Sequence, residues 1–276
     1  MHSYPLKSAG GCNLSEAVVG MPGFPGDRVG MLIDNSNRFL SQRRIPRMAL
    51  LSAGISDHTL CLEYPGQEGI RIPIDVPAGA GKVFATMHRK EEQIQVIDAG
   101  GEAAEWFSKV LGIQNIRLVW IDPNFSRKIP DDPGGEVMLA DGYPYLITSS
   151  ASLDLLNDRL VEADPLLAPL TMQRFRPNIV IDIEEPWAEM KEGLQLQTVD
   201  GSISFRLAKP CQRCGIPQID PATGERDIGS IVHKTLKDLC YGLEFPSNCF
   251  GQNAIPVTGI GEVLKTGMEI ELIRDA

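Results

Sequence analysis

Aromatic residues make up only 6% of this 276-residue chain, and there are four histidines. His2, His58, His88 and His233 are scattered without the close spacing of metal ligands, so a histidine-built metal centre is not indicated. No Gly-x-Ser-x-Gly turn occurs, which removes the positive case for a Ser–His–Asp hydrolase. Neither Gly-x-Gly-x-x-Gly nor a Walker loop occurs, so the dinucleotide and nucleoside-triphosphate classes drop away as well. Positive charge is also short: 26 basic residues against 36 acidic ones leave a net charge of −10, which argues against a general affinity for nucleic acid or anionic membrane. A local basic pocket is compatible with that balance. The longest apolar runs, such as Met48-Ala49-Leu50-Leu51, are far too short to span a bilayer. The first residues, Met1 to Lys7, carry neither a charged leader nor an apolar core of signal length. The expectation is a cytoplasmic protein with no nucleic-acid or membrane partner.

What is present fits an ordinary globular chain. Hydrophobic residues at 43% and charged residues at 22% allow a sizeable core, and the length suits one large domain or two smaller ones. Six cysteines in a long chain read as mostly reduced thiols. Cys61, inside the alternation Thr59-Leu60-Cys61-Leu62-Glu63, reads as a small buried hydrophobe.

The first half predicts strands at 29–33, 48–52, 59–63, 70–74, 83–87 and 94–97, where branched residues alternate between turn signals; this spacing suggests a small barrel or sandwich. A helix over 102–111 follows, with Trp106, Val110 and Leu111 on one face and glycines at both ends. Residues 116–121 form a buried strand and 123–135, dense in Pro, Asp and Gly, a loop. A domain boundary is placed near residue 121, giving domains 1–121 and 122–276. In the second half the pattern predicts strands at 145–148, 179–183, 194–199, 203–207, 216–219, 252–257 and 268–272. Two helices carry inner stripes: one from Ser150 or Ser152 through Leu160 with Leu153, Leu156 and Leu160, and one over 230–239 with Val232, Leu236 and Leu239.

Reactive chemistry concentrates in Lys209-Pro210-Cys211-Gln212-Arg213-Cys214, where two thiols stand three positions apart beside two cations. A thioredoxin-like pair should open a helix in a βαβ unit, and these flanks read as strands. Structural zinc needs four ligands, and Cys240 and Cys249 lack a second close spacing. A single thiolate on a soft metal, and a pair of idle thiols, both remain open. Basic residues form the second set: Lys7, Arg28, Arg43, Arg44, Arg47, Arg174 and Arg176 sit at predicted strand ends, where an internal anion site would need them. Read one at a time, each is equally an ordinary surface charge. His233 reads as a surface or core residue of its helix.

Six segments, taken together and in this order, resemble the two-part MOSC proteins: Tyr4-Pro5-Leu6-Lys7-Ser8, Gly26-Asp27-Arg28, Gln42-Arg43-Arg44-Ile45-Pro46-Arg47, Asp141-Gly142-Tyr143-Pro144, Arg174-Phe175-Arg176-Pro177-Asn178 and Cys211-Gln212-Arg213-Cys214. That family includes the amidoxime-reducing components and the C-terminal part of molybdenum cofactor sulfurase. The resemblance implies a mostly β fold with peripheral helices (α+β), an N-terminal β-barrel domain packed on a MOSC β-barrel domain. It implies a molybdenum cofactor (molybdopterin), with Cys214 as metal ligand and catalytic group and Cys211 as its neighbour. Lys7, Ser8, Arg28, Arg43, Arg176, Asn178 and Gln212 would contact the cofactor, the cations holding its phosphate by charge-assisted hydrogen bonds. The implied activity is reduction of small N-hydroxylated or N-oxide substrates, with electrons from a separate ferredoxin- or flavin-type protein. The alternative is a non-catalytic cofactor or sulfur carrier; pyridoxal phosphate enters only as a family-level association. Many relatives carry Ser where this motif has Gln212, and animal members carry Thr-Ser where this chain has Gly142-Tyr143.

Overall fold

Branched residues alternating with polar ones pack well on a pleated, half-buried surface, and the first half of the chain accordingly builds antiparallel sheets. The structure is a computed structural model that describes residues 1–75, 81–87, 92–129, 132–167, 169–242 and 246–274. His88 of the sequence reading and the middle of the 123–135 loop lie outside the described residues. Four strands run in the spatial order Gly30–Ile33, Arg117–Ile121, Gln93–Asp98, Lys82–Thr86. Beside them Ser52–Ser56, Thr59–Tyr64 and Gln67–Pro73 form a three-stranded meander. Helix α1 (Gly101–Leu111) buries Ala103, Phe107, Val110 and Leu111 in the core shared with Leu60, Ile72 and Leu118. It ends at a left-handed Gly112, and Arg47 donates to the orphan Leu111 carbonyl at 2.8 Å.

The second half is one six-stranded sheet in the order Ile179–Ile181, Tyr145–Ser149, Cys249–Thr258, Ser204–Gln212, Leu194–Thr198, Ile270–Arg274. The first pair is parallel and the rest are antiparallel. Helices α2 (Ser150–Ala163) and α3 (Ile231–Leu239) pack together through Leu156, Leu160, Val232 and Leu236 over Phe250. Another core holds Tyr145 edge-on to Phe24 and Phe205, with both ring pairs 5.0 Å apart. The chain's first residues are stitched into this half: His2 donates to the Asn178 carbonyl at 2.8 Å, and Glu16–Val18 pairs with Val263–Lys265. The fold class is as expected, mostly strand with three α-helices among the described residues.

Local differences from the sequence reading have identifiable causes. The strand expected at 48–52 is a 3-10 helix, Pro46–Leu50, followed by the strand Ser52–Ser56. Pro46 fixes φ at the helix start, and Met48 and Ala49 are buried by the turn. Pro217 does the same at Ile216–Gln218, where a strand was expected. The loop at 123–135 contains a small antiparallel pair, Lys128–Ile129 with Asp132–Glu136. Cys61 is half-buried rather than buried, because Leu60 and Leu62 take the inner face of its strand.

The central pair of the six-stranded sheet is irregular where the cysteine motif sits. Pro210 faces Gln252 and Gln212 faces Cys249, so Phe250 and Gly251 together oppose the single residue Cys211. This is a bulge, and Gly251 supplies its positive φ of 75°. A Cβ on Gly251 would lie 2.7 Å from the Ile147 carbonyl and 2.6 Å from Thr148 Cγ2. Gly251→Ala should therefore cost about 3 kcal/mol in strain and overpacking, read as a lower urea midpoint. Gly54→Ala, where an added Cβ meets nothing within 4 Å, should stay within about 0.5 kcal/mol of the parent.

Candidate functional site

The bulge ends the ladder just as the thiols arrive. Gln212 is the last paired residue, and Cys214 lies beyond the strand in a turn ahead of Ile216–Gln218. Both motif cysteines are half-buried and line an open cleft between the two halves, with about 860 Å³ of empty space including its mouth. Lys7, Ser8, Arg28, Arg43, Arg176, Asn178 and Gln212 line the same cleft, so the structure brings together every residue that the resemblance assigned to the cofactor.

Two of the cations, and Ser8 beside Lys7, arrive on strained backbone. Ser8, Arg28 and Arg176 all have positive φ, at 69°, 50° and 58°, a conformation that non-glycine residues adopt at a cost and that gathers at functional sites. The Arg28 and Arg176 guanidiniums lie 4.8 and 4.3 Å from the centroid of the Tyr4 ring. Beneath them Asp27, 2% exposed, pairs with Arg28 and accepts the Tyr4 backbone N–H at 2.7 Å. Arg28 also donates to Asn178 Oδ1 and to the Arg176 carbonyl, each at 3.1 Å. Asn178 Oδ1 receives the Leu146 N–H at 3.2 Å, so this side chain joins the two halves by orienting Arg28. Arg176 donates to the Ala9 carbonyl.

Lys7 is buried, with Nζ donating to the Leu139 carbonyl at 2.6 Å and to Asp141. Burial pulls its pKa down, and the Asp141 carboxylate opposes that shift. Burial likewise pushes Arg176 down to about 10, with Arg28 adding to the effect, so the guanidinium stays charged at neutral pH. Burial pushes Tyr4 up to about 12, leaving a neutral phenol between the cations. Among the described residues the cleft is lined by five cations, Lys7, Arg28, Arg43, Arg176 and Arg213, and one carboxylate, Asp141. Arg213 donates to Cys211 Sγ at 3.1 Å and to the Phe175 carbonyl at 2.6 Å, while its Nε is buried without a partner.

Other basic candidates face elsewhere. Arg174 is buried in a two-pronged pair with Asp227, at 2.9 and 2.5 Å, and ties the 172–174 turn to the 217–227 loop. Arg47 caps α1, and Arg44 is exposed. Gln212 is exposed at the rim. Cys240 and Cys249 sit apart with Met190 in an apolar cluster, where burial raises both thiols, Cys249 to about 12. Among the described residues no group of three or more His, Cys, Asp or Glu side chains is placed to hold a metal ion. No helix among them is long and apolar enough to cross a membrane. Sequence reasoning missed Phe39 and Ser41 in the cleft wall, which nothing in their spacing marks, and gave no role to the buried Asp27 anchor although it stands in the Gly26-Asp27-Arg28 segment.

Fold and site thus define an α+β protein with a thiol-bearing, cation-walled cleft between two β-rich halves. The chain belongs to the MOSC family: residues 1–114 match the MOSC N-terminal beta barrel domain and residues 134–271 the MOSC domain. It is 31% identical over 271 residues to mitochondrial amidoxime-reducing component 1 of Mus musculus, covering 93% of this chain and 74% of that protein. Its human counterpart is 29% identical over 236 residues, covering 80% and 65%. Molybdenum cofactor sulfurase of Bombyx mori is 29% identical over 238 residues; this chain spans 82% of itself and 28% of the sulfurase.

The Asp27–Arg28 pair, with side chains 2% and 12% exposed, supports a direct test of the cleft floor. Asp27→Asn leaves a buried guanidinium uncompensated beside Arg176 and should lower stability by about 3 kcal/mol, measured by urea denaturation.

Proposed function

We propose that the cleft binds the molybdenum cofactor and that the protein reduces small N-hydroxylated or N-oxide compounds. The observation that carries this reading is the junction of five cations with two half-buried thiols in one cleft of a chain whose net charge is −10. Guanidinium and ammonium groups recognise phosphate by charge-assisted hydrogen bonds, and the buried, unpartnered Arg213 Nε is a donor without an acceptor. A thiolate is a soft ligand of the kind that suits molybdenum. With no three-ligand protein cluster among the described residues, the rest of the metal's coordination would come from the cofactor itself. The residues present fit the group.

Lys7, Ser8, Arg28, Arg43 and Arg176 would hold the cofactor's phosphate and pterin, and Asn178 would keep Arg28 aimed into the cleft. Cys214 would supply the protein's thiolate to the metal, with Cys211 and Arg213 beside it and Gln212 at the rim. When bound, the cofactor supplies the two-electron redox change. Phe39, Tyr143, Leu146 and Phe175 line the walls and would limit water around the reacting centre. A separate electron-transfer protein would deliver electrons. The cytoplasmic location stands as a proposal for cell fractionation to test, since the amidoxime-reducing relatives are mitochondrial by name. The relative named molybdenum cofactor sulfurase supports a second reading, in which the same cleft carries cofactor or sulfur without turnover.

Protein made in molybdenum-replete, cofactor-competent cells should contain stoichiometric molybdenum by elemental analysis and should reduce benzamidoxime with a supplied electron source. Cys214→Ser should lose turnover and emerge with substoichiometric molybdenum, the cleft cations still admitting added cofactor, and Cys211→Ser should keep the metal. No molybdenum in the parent, or loss with Cys211→Ser but not Cys214→Ser, would overturn the assignment. Molybdenum retained with no turnover of N-hydroxylated substrates would favour the carrier.

A further inference from the structure

A strand residue has its carbonyl satisfied by the neighbouring strand, and a chain that leaves the sheet must find other donors. Arg213 and Cys214 are the first two residues past the ladder, so their carbonyls lose strand partners at the point where the thiol is displayed. His233, on the first turn of α3, replaces them. Its Nε2 lies 3.0 Å from the Cys214 carbonyl oxygen and 3.2 Å from that of Arg213. Asn248 Nδ2 adds a second donor to the Arg213 carbonyl at 2.8 Å. Two acceptors at Nε2 require the imidazole proton on that nitrogen, and Nδ1, 2.6 Å from Gln218 Nε2, then accepts. Both ring nitrogens are therefore committed, and the ring joins α3, the Ile216–Gln218 turn and the thiol turn.

We propose that His233 is a positioning residue for Cys214: as a hydrogen-bond donor from α3 it fixes the thiol turn that the bulge releases from the sheet, without itself touching substrate or cofactor. The helix that carries it is anchored independently, through Val232 and Leu236 in the core. That anchorage gives the ring a fixed base from which to hold the turn. The inference rests on Cys214 being the working thiol of the cleft.

Site-resolved alkylation of the metal-free protein by iodoacetamide, read by mass spectrometry, tests it without any loaded enzyme. Removing the donor with His233→Leu should raise the Cys214 rate roughly tenfold, about the factor one net hydrogen bond is worth, and leave Cys12 and Cys61 unchanged. His233→Gln, whose amide can donate from nearly the same place, should return Cys214 to within about twofold of the parent. An unchanged Cys214 rate in His233→Leu overturns the proposal. If His233→Leu also exposes the buried Cys240 and Cys249, the packing of α3 has failed and His233→Gln decides: a parent-like Cys214 rate supports the clamp, and a raised one overturns it. Because this readout needs no molybdenum, it can fail while the metal assay succeeds, and the reverse.

Discussion

Two like-charged guanidiniums held against one tyrosine ring, over one buried carboxylate, form the constraint on which this structure depends. Arg28 and Arg176 come from opposite halves of the chain and repel each other, yet both lie within 5 Å of the Tyr4 ring centroid. Asp27 neutralises one of them, and Asn178 and the Arg176 carbonyl tie Arg28 to the second half. Cation–π contacts of this kind are worth about 1–2 kcal/mol each when desolvated, too little alone to offset burying several charges. The excess of cations over carboxylates in its lining is what would suit the cleft to an anion, in a chain whose overall charge is negative.

The same seam receives the thiols because the sheet is interrupted in a specific way. An extra residue in Cys249–Thr258, made tolerable by Gly251, turns the end of Ser204–Gln212 out of register. Cys211 and Cys214 thus emerge at the cleft rather than on a sheet face, and the carbonyls so released take side-chain donors. Cys240 and Cys249 show the contrast: buried in an apolar cluster, their thiols are pushed towards the neutral form.

Much of this architecture was legible in the chain. Alternation located Thr59–Tyr64 and Gln93–Asp98 within a residue or two, and helical spacing located the α-helices of the described residues. Failures fell where proline overrode an apolar run, at Pro46 and Pro217, and where strands of two or three residues, such as His2–Ser3 and Glu16–Val18, are too short to alternate. Motif order brought out the cleft residues. Charge and strand-end position alone could not separate Arg43, which only the resemblance singled out and which lines the cleft, from Arg47, which caps α1, or from Arg174, which is locked onto Asp227, because the direction of a side chain on a turn is set by distant partners. His233 read as bland for the same reason: its acceptors lie about twenty residues earlier and meet it only through the fold.

The central claim is that Cys214, and not Cys211, presents the protein's sulfur to a metal held in this cleft. X-ray absorption at the molybdenum edge on cofactor-loaded protein addresses it most directly, since the sulfur shell can be compared between the parent and cofactor reconstituted into each serine variant. The account predicts one sulfur neighbour fewer in Cys214→Ser and an unchanged shell in Cys211→Ser. An unchanged shell in Cys214→Ser, or a sulfur lost in Cys211→Ser, would contradict it.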